Sequence, residues 1–152
     1  MLTTTNSTAA ARAVPGIKQV RARALCAAGG ALAAALAWIA EVPLLGIHLN
    51  VRFGAARMHT GAGHIQTISV GQVIGVAVAA SLLGWLLLAL LERRTPQARI
   101  RWTAIALAAL AASLALPLAF ATTTSAVTGL MVMHVTVGAA VIPALARTAR
   151  TR

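Results

Sequence analysis

The sequence predicts an all-α integral membrane protein, a four-helix transmembrane bundle with both termini cytoplasmic. Three observations predict it. First, the 152 residues are 59% hydrophobic and 10% charged, whereas a soluble domain carries about 25% charged residues. A chain this short cannot bury that much apolar surface inside itself, so lipid must solvate much of it. Ala, Leu and Val dominate and only 3% of residues are aromatic, which favours helical spans over a β-barrel. Second, the apolar residues fall into four runs, each near the roughly 20 residues needed to cross a hydrocarbon core. Third, the basic residues are distributed with the parity that four spans demand.

The four runs cover about 25–45, 69–91, 102–120 and 125–145. A long loop separates the first two, a short charged loop the middle pair, and a very short loop the last pair. Short loops make helices 2 and 3, and helices 3 and 4, antiparallel neighbours. Of the 13 Lys and Arg residues, 11 lie before helix 1, between helices 2 and 3, or after helix 4. Only Arg52 and Arg57 lie in the first loop, and the third loop has none. The positive-inside rule then places both termini in the cytoplasm. The net charge of +11 reads as a topology signal and an attraction to anionic headgroups, with no nucleic-acid partner. Helix 1 is too long for a signal-peptide core and lacks a small-x-small cleavage site, so an uncleaved span is expected. Residues 1–24 read as a disordered basic tail, 25–146 as the bundle and 147–152 as a second basic tail.

Small residues suggest how the helices pack. Helix 2 carries Gly71, Gly75 and Ala79 at a spacing of four, and helix 4 places His134 and Gly138 one turn apart. These faces suit a bundle interior or, alternatively, a homo-oligomer interface. Pro43 and Pro143 are expected to end helices. Pro117 lies inside helix 3, where nearby hydroxyls can satisfy the carbonyl it frees. Trp102 suits an interfacial aromatic belt.

Ionisable groups inside a span are costly and are functional candidates. Glu41, Gln72 and Thr128, with Thr122 to Thr124, fall at similar depth and are expected to form a polar ring near the outer face. His134 lies deeper, with Ser81 and Ser113 near its level. A neutral histidine needs two hydrogen-bond partners, which serine or threonine across the interface can supply. Structural glue, proton or ligand handling, and haem or metal ligation all remain open for it. In loop 1, Met58, His59 and His64 are weak candidate metal ligands whose spacing fits no metal motif. A flexible loop lying on the membrane surface, with Phe53 and Met58 dipping in, is the plainer reading. The chain has one cysteine, Cys26, which excludes an intrachain disulfide and a Cys-based zinc site. No Walker A loop, Gly-x-Ser-x-Gly elbow, His-Glu-x-x-His or Cys-x-x-Cys is present. The only two acids, Glu41 and Glu92, fall on opposite sides in this topology, which rules out paired-carboxylate catalysis.

VPLLG (Val42 to Gly46), ALLERRT (Ala89 to Thr95), the Trp102–Thr103 helix start, ATTTSA (Ala121 to Ala126) and MHVTVGAAVIP (Met133 to Pro143) resemble a family of small actinobacterial four-helix membrane proteins. That family is catalogued as a domain of unknown function. The resemblance spans roughly 25–146, without the histidine-bearing part of loop 1. It implies four membrane helices and carries no established activity, so no site residue transfers with it. His134 belongs to the resembling stretch and Glu41 does not.

The expected function is that of a non-enzymatic structural or accessory membrane subunit without a cofactor. Its partners would be the bilayer and a second copy or another membrane protein. Two alternatives stand beside it. One is a small-solute or proton-coupled permeation unit using His134, Ser81 and Ser113. The other is a haem, quinone or metal protein using His134 or the loop-1 histidines.

Overall fold

A computed structural model describes residues 16–53 and 64–150. Helix α1 runs Ile17–Ile39 and continues as a π-helical turn over Ala40–Leu44. Strands β1 (Asn50–Phe53) and β2 (His64–Thr67) follow. Then come α2 (Val70–Arg94), α3 (Ala98–Ser113), α4 (Ala115–Phe120) and α5 (Thr124–Arg147). With α3 and α4 taken as one span, four helices among the described residues are long and apolar enough to cross a membrane.

The helix starts follow from local chemistry. Ser69 caps α2 through a reciprocal box, accepting from the Gln72 N–H while its own N–H donates to Gln72 Oε1. Thr123 caps α5 by accepting from the Ala126 N–H at 3.2 Å. Each arrangement satisfies donors that a helix start otherwise leaves bare. Pro117 has no N–H for the Ser113 carbonyl, and the third span breaks at Leu114 into α3 and α4. The Ser113 hydroxyl turns back to the Leu110 carbonyl at 2.7 Å and not to the carbonyl that Pro117 frees, and the Thr122 hydroxyl goes to the Asn50 carbonyl instead.

Three boundaries depart from expectation. α1 begins at Ile17, so 17–24 are helical where a disordered tail is expected; residues 1–15 lie outside the described residues. Pro43 sits within the closing π turn of the first span, but Pro143 lies inside α5. It is exposed there, with four helical residues after it. Both described ends of loop 1 form an antiparallel hairpin, pairing Asn50 with Thr67 through Phe53 with His64. The expected surface loop therefore has paired ends, and its body, 54–63, lies outside the described residues. Met58 and His59 lie outside the described residues, as do the side chains of Phe53 and His64.

The hairpin closes one end of the bundle. Leu49 and Val51 point inward and are 0% and 4% exposed. Val51 also bridges to Ala121, and the Thr122 N–H donates to the Asn50 carbonyl at 3.2 Å. The Trp38 indole donates to the Ile68 carbonyl. Beneath the hairpin lies an apolar core built around Ala34, Val73, Ala77, Leu130 and Met133. A second core at the basic end consists of Leu88, Trp102, Leu145 and Ala146. Trp102 is 2% exposed, with its indole N–H on the Gly84 carbonyl at 2.8 Å, so it is a core anchor and not a residue of an interfacial belt. α1 packs mainly on α2 and α5, and the third span is the least buried of the four.

The glycines that carry helix contacts differ from the expected stripe. Gly71, Gly75 and Ala79 are exposed, and a Cβ on Gly75 would meet nothing within 4 Å. This face is therefore no part of the bundle interior. Close approach occurs at Gly30, where a Cβ would fall 2.5 Å from Val141 Cγ2, and at Gly138, where it would fall 2.7 Å from Leu110 Cδ2.

Candidate functional site

Between the two cores the helices leave a cavity of about 600 Å³. Its walls come from α2, α3 and α5, with Ala34 of α1 behind them. They are apolar apart from Gln66, Gln72, Ser81, Trp102, Ser113 and His134. Small residues face it, Ala80 on α2 and Ala106 and Ala109 on α3. Pockets of this size and character hold small apolar molecules oriented by a few polar groups.

His134 is half-buried on α5, and its Nδ1 lies 2.6 Å from the Leu130 carbonyl one turn back. A carbonyl only accepts, so Nδ1 carries the hydrogen in this contact. The expected cross-helix serine or threonine partner is not used. Ser81 is buried and donates to the Ala77 carbonyl at 2.8 Å, and Ser113 likewise donates within its own helix. The three residues share one cavity without bonding to one another.

The polar ring expected around Glu41 does not form among the described residues. Gln72 is committed to its own helix cap, and Thr128 donates back to the Thr124 carbonyl at 3.1 Å. Glu41 is 4% exposed, and neither carboxylate oxygen has a hydrogen-bond partner. It lies against Gly129 of α5, where a Cβ would come within 2.9 Å of Oε2, and beneath Leu49. Glu41 stands near the hairpin end of α1, whereas Glu92 stands near the basic end of α2.

Glu92 belongs to a cluster that sequence reasoning missed. Its Oε1 accepts from Arg23 Nη2 at 2.6 Å and from the Arg150 backbone N–H at 3.0 Å. Arg23 is 1% exposed and also reaches the Thr148 hydroxyl and carbonyl. Gln19 joins them by donating to the Thr148 carbonyl and accepting from Arg150 Nε. The sequence does offer one signal, since Glu92 is the single acid beside eleven basic residues assigned to one side. No cluster of three or more His, Cys, Asp or Glu able to hold a metal occurs among the described residues.

No curated protein and no solved structure matches the chain. A family model described as a family of unknown function, DUF6069, matches residues 15–151. The motifs quoted above all fall within that span, and with nearly its whole length matched the chain belongs to DUF6069.

Proposed function

We propose that this protein is a four-span membrane protein with both termini in the cytoplasm, acting without catalysis as an accessory subunit that holds a lipophilic small molecule. The cavity between α2, α3 and α5 carries this reading, because it is apolar-walled, large enough for a ligand, and has an imidazole and two hydroxyls inside it. The orientation is supported by the 11 basic residues in the termini and in the loop between the second and third spans. Permeation fits less well. A path through the bundle would have to cross the second core at Trp102 and Leu145 and then the Arg23–Glu92 cluster.

Filling the cavity tests the binding role. Ala109→Phe places a ring in the cavity from the least buried span. It should abolish binding of an apolar alkylbenzene probe in nanodiscs while leaving the melting temperature close to wild type. Equal probe binding by the variant and the parent would overturn the reading. Orientation is tested separately in a Cys26→Ala background. An impermeant maleimide should label Arg52→Cys in intact cells and leave Arg99→Cys unlabelled until the cells are opened.

A further inference from the structure

The chemistry inside the cavity specifies its ligand more narrowly. This inference rests on the binding role proposed above and deepens it. Every polar group in the body of the cavity has already spent its hydrogen. Ser81 donates to Ala77, Ser113 to Leu110, Trp102 to Gly84, and His134 Nδ1–H to Leu130. Each of these acceptors is a backbone carbonyl, so none can reverse the bond.

What remains on offer is lone pairs. In the imidazole tautomer whose Nδ1 carries the hydrogen, Nε2 is a bare acceptor, and the one hydrogen bond of the ring among the described residues is made by Nδ1. The two serine oxygens each keep acceptor capacity. Uncommitted donors lie only toward the hairpin, in the side-chain amides of Gln66 and Gln72. A ligand whose polar group was a carbonyl, ether or ester would find no hydrogen in the cavity body unless it took one from a carbonyl already satisfied. A buried acceptor left without a donor is costly. A ligand bearing a hydroxyl or N–H would find His134 Nε2, Ser81 Oγ and Ser113 Oγ, one on each of the three helices that wall the cavity.

We infer that the cavity selects lipophilic molecules that donate a hydrogen bond (alcohols, phenols or quinols) over carbonyl or ether counterparts of the same shape, with His134 Nε2 as the receiving atom. The selection is a matter of hydrogen-bond polarity, because the apolar walls accept both members of such a pair equally.

The test pairs 4-hexylphenol with 4-hexylanisole, which differ by methylation of the donor. Binding is measured to the full-length protein in nanodiscs, with partition into empty nanodiscs subtracted. The phenol should bind about tenfold more tightly, the scale of one well-made hydrogen bond. In His134→Phe, which keeps an aromatic ring and removes the acceptor, the ratio should fall toward one while anisole binding is retained. Ser113→Ala, at a half-buried position in the least buried span, should lower the ratio by a smaller factor. Equal binding of the two probes by wild type would overturn the donor inference and leave the cavity reading standing. A ratio unchanged in His134→Phe would overturn the assignment to that residue. Binding of neither probe above the Ala109→Phe background would overturn the cavity reading itself. The wild-type comparison needs no variant to fold.

Discussion

Glu92, at the basic end, sits 2.6 Å from the Arg23 guanidinium and takes a second hydrogen bond from the Arg150 N–H. Glu41, at the hairpin end, is the more deeply buried of the two, and neither of its carboxylate oxygens has a hydrogen-bond partner among the described residues. The two ends are correspondingly built by different means. At the basic end, the Arg23 side chain of α1 and the backbone N–H of Arg150, after α5, converge on one carboxylate oxygen of Glu92 in α2. At the hairpin end the joints are mainly backbone bonds, such as the Asn50 carbonyl with the Thr122 N–H, over close-packed Leu49 and Val51. Burial alone therefore says little about what a charged residue contributes. A paired buried charge penalises loss of its partner, whereas an unpaired one penalises its own presence.

Four substitutions test that contrast, each read by unfolding in detergent. The largest effect is expected from Glu92→Ala, which strands the 1%-exposed Arg23 guanidinium and should cost about 3–5 kcal/mol. A loss under 1 kcal/mol would mean that Thr148 and water carry the arginine unaided. Glu41→Leu should have the opposite sign and stabilise by about 1–2 kcal/mol, since it removes an unsatisfied polar group from an apolar site. If it destabilises, Glu41 has a partner that the described residues do not contain. Gly129→Ala puts a Cβ 2.9 Å from Glu41 Oε2 and 3.0 Å from Leu49 Cδ2 and should cost about 1–2 kcal/mol. Adding Glu41→Ala should recover most of that loss, and simple additivity would show that Glu41 is not what fills the space. The smallest effect belongs to Gly84→Ala at the basic end. Its Cβ would meet Leu145 Cδ1 at 3.4 Å and Trp102 Cζ2 at 3.6 Å, ordinary contacts. The helix should therefore gain up to about 1 kcal/mol.

The four helices long and apolar enough to cross a membrane were legible because apolar runs of that length leave little choice of structure. The capping box of α2 is also spelled locally, as Ser69-x-x-Gln72. The hairpin was harder to see. Its strands are four residues each, and the glycines between them suggest a loop. The inward positions of Leu49 and Val51 against outward Arg52 give only a brief alternation. Arg23 read as one more cytoplasmic charge because its partner lies 69 residues away, and a single sequence does not report long-range pairs. The Gly71–Gly75–Ala79 stripe faces outward, which removes the bundle interior from its two readings and keeps the interface between copies, since small residues mark a surface able to approach another without saying which. His134, Ser81 and Ser113 could be grouped by helical rise alone. The direction of each hydrogen bond, on which the ligand's character depends, needed the backbone.

The span between Arg23 and Glu92 also has a consequence in time. The arginine is synthesised 69 residues ahead of the only carboxylate it meets. At roughly 5–20 residues per second this is an interval of about 3–14 seconds. Throughout that interval a fully charged guanidinium belongs to a helix that has no counter-charge. Its carboxylate partner exists only once the end of α2 has been made, and Thr148, its other side-chain partner, follows it by 125 residues. Closing that end of the protein therefore waits for the residues after α5 as well as for the end of α2.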